Sequence, residues 1–449
     1  MPKHRFSRRE FLKLSGLTGA AAALASCAPG TEEAATEVPE VIEGQPIELR
    51  LWHMETPPNR VEVFQGFIDE FNAAYPDINV TQETINWGEA FAKVTSAIQA
   101  GNQPDIQFTT GAHMHSVMPT GAVQPIDDIF AGIDSDVSFF DNQVSVFRYD
   151  GHTWAIPMFG LTHLLVYRTD LLGELGYPNG PETWDEWMEV AEALTGGDNY
   201  AITLPASKHL YTDQCITDIM AVNHSDIFAP DGTLIFNSPE TVESFGYYRE
   251  LYQYSPPDAP NMTWPEANAS FLTGQSAMTP IFGAIFARLP NESPDFADEV
   301  ASARIPIPPG GVHKSVGSAN AAMILTDDAE RQEASAEFLK FMTEPDRHAE
   351  WIANMQPGLY MPVSEEMAQS DSYWEQPILE RYKQHILLAF EMSGETVVYG
   401  FNHDEPHPEV AAIDGENVLA QTVQKMVVDG MEPEEAVEWG HTKMEELIS

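Results

Sequence analysis

Cysteine is nearly absent from this chain: of 449 residues only Cys27 and Cys215 carry a thiol. A framework of disulfides is therefore excluded, and Cys215, inside an apolar run, reads as a small core residue. Cations are also scarce. Lys and Arg number 22 against 69 Asp and Glu, a formal net charge of −47. So few positive groups exclude nucleic acid and anionic lipid surfaces as partners. The surplus repels itself unless salt screens it, which points to a salt-tolerant source. Catalytic signatures are missing too. There is no G-x-S-x-G, H-E-x-x-H or C-x-x-C, and carboxylate pairs are too common here to argue for acid–base chemistry. Without G-x-x-x-x-G-K-[ST], any ATP hydrolysis belongs to a separate partner. No cofactor or metal is expected. His113 and His115 lie one residue apart, and Pro406 breaks the helix that His403 and His407 would need to share a metal, so all four read as solvated loop histidines.

What is present begins with an address. Ser7, Arg8, Arg9, Phe11, Leu12 and Lys13 form a twin-arginine pattern, and Leu14 to Ala25 is apolar but too short to span a membrane. Leu24-Ala25-Ser26-Cys27 looks like a lipobox, so residues 1–27 read as a lipoprotein signal with Cys27 as the lipid anchor. Residues 28–46, rich in Ala, Thr, Glu and Pro, read as a disordered tether. The remainder is too long for one core, so two lobes are expected.

Periodicity then alternates. Ile47 to Trp52 reads as a strand. A helix from Pro58 follows, with Phe64, Ile68 and Phe71 on one face. Asn79 to Ile85 is a second strand. A helix from Gly88 carries Phe91, Val94 and Ile98, and Pro104 to Phe108 is a third strand. This β-α-β-α-β order predicts a parallel sheet, with any ligand beyond the carboxyl ends of its strands. Later, Trp154 to Pro157 and Leu164 to Tyr167 read as two short strands. Thr183 and Glu186 form a capping box opening a helix with Trp187, Val190, Ala191 and Leu194 on one face. Trp184 and Trp187 are assigned to the core.

Residues 151–195 also carry a resemblance. Gly151, Trp154, Ala155, Pro157, Tyr167, Asp170, Leu171, Pro181, Thr183, Trp184 and Glu186 match the lobe-crossing segment of extracellular solute-binding proteins, the family of maltose-binding protein. Other matches recur in order: Gly101 to Ile106, Gly121 to Asp127, Phe271 to Met278, Ser315 to Ser318, Glu333 to Met342 and Glu434 to Val437. Residues 360–410 match poorly. The resemblance implies an α/β, two-lobe fold of the periplasmic-binding-protein-like type II. Its discontinuous lobes, 47–158 plus 319–385 and 159–318 plus 386–449, would close about a hinge. It further implies a monomeric, non-enzymatic, lipid-anchored component on the outer face of the membrane. That component would capture a carbohydrate for the permease of an ABC importer and its separate ATPase. The alternatives are a non-sugar solute (polyol phosphate, peptide or metal complex) or a lipid-anchored glycan hydrolase.

Sugar binding needs aromatic faces and fixed polar groups where the lobes meet. The turns after the first three strands offer His53, Glu55, Thr56, Trp87, Thr109, Thr110 and His113. The crossing offers Phe159, and the second lobe Tyr211, Asp213, Phe282 and Phe286. The return strand offers Ser318 and Asn320, and the late segment Tyr360, Tyr399 and Asn402.

Overall fold

The computed structural model describes residues 46–398, 407 and 409–449. Strand β1 (Ile47–His53) pairs in parallel with β2 (Ile78–Thr84) and with β3 (Ile106–Thr110). Helix α1 (Pro58–Ala74) connects the first two and α2 (Ala90–Gln99) leads to the third. Proline suits the first turn of α1 because that N–H has no helical partner anyway. Phe64, Ile68 and Phe71 recur every three to four residues and are buried together, so the predicted face covers the sheet.

The next strand, β4 (Ile156–Arg168), is 13 residues long. It replaces the two short strands expected at Trp154 to Pro157 and Leu164 to Tyr167. Pro157 does not end it, for a physical reason. In this region β4 is the edge of the sheet, where a missing N–H costs least, and the register slips beside Pro157, between Asn320 and Ala321 of its neighbour. The capping box of α4 (Trp184–Leu194) forms as expected, and Trp184 and Trp187 are buried.

Downstream come β5 (Tyr200–Ile202), α5 (Leu210–Val222), α6 (Pro239–Tyr252), β6 (Ser276–Phe282), β7 (Val300–Ala303) and β8 (Ser315–Ile324). Among the described residues the sheet runs β2-β1-β3-β8-β4-β6-β5, with β7 pairing β4. Its two parts meet through a neck. Gly317 to Ala319 of β8 pairs with Gly160 to Thr162 of β4, while β3 pairs only beyond, from Asn320, and β6 only from His163. Gly317 is required at this neck, since an added Cβ would lie 2.7 Å from Thr396 Oγ1.

Helix α7 (Pro345–Met355) packs on α1 in the first part. Arg381 and Tyr382, expected in the first lobe, bond instead to Asp298 (2.5 Å) and to the Ala297 carbonyl (2.9 Å). The chain has thus reached the second part of the sheet before residue 385. Helix α8 (Lys383–Met392) lies there, and β9 (Thr396–Val397) pairs with the start of β8. Helices α9 (Val410–Glu416), α10 (Val418–Val427) and α11 (Pro433–Ile448) close the fold. Helix α10 packs on α5, and α9 lies against α3 (Gly111–Val117). Among the described residues no helix is long and apolar enough to cross a membrane.

Candidate functional site

At the carboxyl edge of the first part, three of the sequence-predicted residues fall in one row. Asn320 on β8 is the register partner of both Thr110 on β3 and Phe159 on β4. The Phe159 and Tyr360 rings meet tilted at 53°, centroids 4.4 Å apart, and Phe159 reaches Trp351 at 6.1 Å. Tyr360 extends the row: its hydroxyl donates to Glu55, and Arg60 donates to Glu55 (2.7 Å) and to the Tyr360 oxygen (2.8 Å). Burial pushes the Tyr360 phenol up, so it stays neutral. The Arg60 charge is spent within this network, which also takes in Gln356 at 3.3 Å.

His53 holds the loop that carries Glu55. Its Nδ1 accepts from the Glu55 N–H at 3.2 Å, so Nε2 carries the proton and donates to Gln82 at 2.7 Å. Asn320 donates to Ser318 Oγ at 3.2 Å, and Thr109 donates to the Thr110 carbonyl. Thr110 caps α3 by accepting from the His113 N–H.

His113 and His115 are not solvated loop residues. Both lie buried on α3, because that short helix is pressed between α2 and α9. Desolvation lowers each pKa to about 4, so both are neutral at pH 7. His113 stacks on Phe91 at 4.2 Å, and neither ring nitrogen has a hydrogen-bond partner among the described residues. A buried donor and acceptor left unmade cost about 1–3 kcal/mol. His407 lies against the Phe228 ring, while His403, Tyr399 and Asn402 fall outside the described residues, as does Cys27. Among the described residues no group of three or more side chains is arranged to hold a metal.

The remaining predicted residues are elsewhere. Thr56 and Trp87 are exposed at the rim. Tyr211 and Asp213 do not stand in a turn. They open α5, which is buried along nearly its whole length, with His209 as its cap. The Tyr211 hydroxyl donates to the Pro280 carbonyl at 2.9 Å. Asp213 accepts from the Ala420 N–H (2.6 Å) and from Asn417 (2.7 Å), and burial raises its pKa well above the carboxylate range. Phe286 stacks on His385, and Phe282 packs on His163 at 4.2 Å. Sequence reasoning missed Arg60, Gln356, His163 and Asp218. Arg60 meets Tyr360 300 positions away and Gln356 296 away, and His163 meets Asp218 55 away, so no local pattern marks these pairings.

Two α/β parts joined by a two-strand neck, with an aromatic and polar row beside it, define the type II periplasmic-binding class of fold. The maltose-bound MalE3 of T. maritima has this fold: it superposes with a TM-score of 0.75 at 17% identity, covering 89% of this chain and 100% of that one. The model of the bacterial extracellular solute-binding protein family matches residues 57–348, more than half of the chain, and the chain belongs to that family. One relative, YcjN of Escherichia coli (strain K12), carries the name of an ABC transporter periplasmic-binding protein. It is 23% identical over 419 residues, covering 90% of this chain and 93% of its own length. Another, the sn-glycerol-3-phosphate-binding periplasmic protein UgpB of Shigella dysenteriae serotype 1, is 24% identical over 361 residues, 77% of this chain and 78% of UgpB. Membership implies a small-molecule ligand and, as partners, a membrane permease with its ATPase.

Proposed function

We propose that this chain captures an uncharged, polyhydroxylated solute, a carbohydrate, between two lobes that hinge at the neck of β4 and β8, and releases it unaltered to an ABC importer. The row Tyr360–Phe159–Asn320–Thr110 carries this reading. Aromatic rings suit the C–H faces of a sugar, and the amide and hydroxyl beside them suit its hydroxyls. Arg60, the cation of this row, is already committed to Glu55, so an anionic solute finds no free charge there. This weighs against a polyol phosphate. Ligand would touch both lobes only when they are shut, and that differential affinity drives closure. Export by the twin-arginine route and lipidation at Cys27 would hold the protein, as a monomer, on the outer face of the membrane.

Trp351, 6.1 Å from Phe159, is a built-in reporter. Intrinsic fluorescence is titrated with glucose, maltose, maltotriose, ribitol and sn-glycerol 3-phosphate. A saturable shift with a neutral sugar, recovered chemically intact, is the expected result. Binding of the phosphate ester alone would overturn the carbohydrate reading, and released product would show a hydrolase.

A further inference from the structure

A second ligand contact lies across the neck from the row. His163 follows the neck directly and pairs with Phe282, the last residue of β6, so it stands at the carboxyl edge of the second part of the sheet. Ligands in open α/β sheets bind beyond that edge. The His163 side chain is fully buried, and Asp218 on α5 fixes its orientation. Asp218 Oδ2 lies 2.7 Å from Nδ1, while Oδ1 accepts the Val316 N–H at 2.6 Å. Both carboxylate oxygens thus accept, which places the imidazole proton on Nδ1. Nε2 has no partner among the described residues.

We propose that His163 Nε2 is a ligand-binding atom of the second lobe, a bare acceptor oriented by Asp218 that takes a hydroxyl proton of a polyhydroxylated ligand. The inference rests on the solute-capture reading above and adds a residue to it. The chemistry demanded of the ligand is a donor, an O–H, at this point. An ether, a carbonyl or an ionised phosphate oxygen cannot supply it. Asp218 is a positioning residue in this scheme: it touches the imidazole, not the ligand.

The test uses the full chain labelled with 15N at histidine. It is titrated with glucose, maltose, maltotriose, ribitol and sn-glycerol 3-phosphate. At saturation with the compound that binds, the His163 Nε2 resonance is expected to move from that of a free acceptor toward that of a hydrogen-bonded one. His163→Ala is expected to raise Kd about tenfold, the loss of one hydrogen bond, and His163→Gln to recover part of it because its Oε1 reaches the Nε2 position. His163→Ala leaves Asp218 without its imidazole partner and is prone to misfold, but the resonance titration needs no variant. An unmoved Nε2 resonance at saturation, or a folded His163→Ala protein with unchanged Kd, overturns the inference and leaves solute capture standing. Failure of every compound to bind the unsubstituted chain overturns both.

Discussion

The two carboxyl edges of this sheet received the same kind of residue and used it differently. On the first, Thr110, Asn320 and Tyr360 stand in a row beside His113, whose ring has no polar partner among the described residues. On the second, Tyr211 and Asp213 are consumed by packing, one on Pro280 and the other on α10. The difference lies in what covers them. Helix α5 is enclosed by α6, α10 and β8, and a polar group in such surroundings must find protein partners. A polar side chain after a strand is therefore left for a ligand only where no later element takes up its hydrogen-bonding atoms. In this fold the later element, α10, brings Ala420 from 207 residues downstream.

The hardest way to break the first edge is Arg60→Ala. Glu55 would remain, its side chain 4% exposed, without its cation. Breaking a buried pair from one side costs about 3–5 kcal/mol, to be read from urea unfolding. Asp213→Ala makes the opposite case on the second edge. It strands the Ala420 N–H and Asn417, at a cost of about 2–3 kcal/mol. Ligand affinity, measured at temperatures where the variant is folded, should stay within twofold. A large loss of affinity at constant stability would return Asp213 to the ligand site.

His113 sharpens the comparison through pH. Burial lowers its pKa from 6.5 to about 4, so the unfolded chain takes up a proton that the folded chain refuses. Its contribution is complete above pH 6.5 and is lost progressively as pH falls toward 4. In His113→Phe, unfolding free energy should therefore fall less between pH 7 and pH 5 than in the parent, by about 2 kcal/mol. The same variant should be more stable at pH 7, because two orphaned ring nitrogens are gone, yet bind ligand less well. Stabilisation with unchanged affinity would make His113 a core residue.

The period of the apolar residues made the first three strands and their helices readable, and Thr183 with Glu186 announced α4. The unity of β4 was hidden by Pro157, whose tolerance depends on β4 being an edge strand there, a fact of topology. Of the candidate row, Thr110 was readable from the parallel strand it follows, whereas Phe159, Asn320 and Tyr360 were named from the crossing, the return strand and the late segment. Arg60 with Tyr360, 300 positions apart, and His163 with Asp218, 55 apart, were not, because each pair is made by folding alone. Residues 360–398 were hard to place because short helices there pack on both parts of the sheet in turn.

The smallest substitution bears on whether the two parts move. Gly283, in the turn after β6, faces Gly358, in the turn after α7, backbone to backbone. A Cβ on Gly358 would lie 2.8 Å from the Gly283 carbonyl, and a Cβ on Gly283 would press on the Gly358 carbonyl harder still. Gly358 has φ +83°, so substitution there mixes strain with crowding, whereas Gly283 has no such conformation. Gly283→Ala is therefore the clean probe. If the parts separate without ligand, the methyl group meets nothing in the open form and obstructs only the shut one. Stability without ligand should then change by less than about 1 kcal/mol, Kd should rise about tenfold, and ligand should shrink the radius of gyration less than in the parent. If instead the contact is permanent packing, the methyl group overpacks the ligand-free protein by about 1–3 kcal/mol and Kd is unaffected. The two results are opposite in both measurements, so a single variant decides between a hinge and a fixed body.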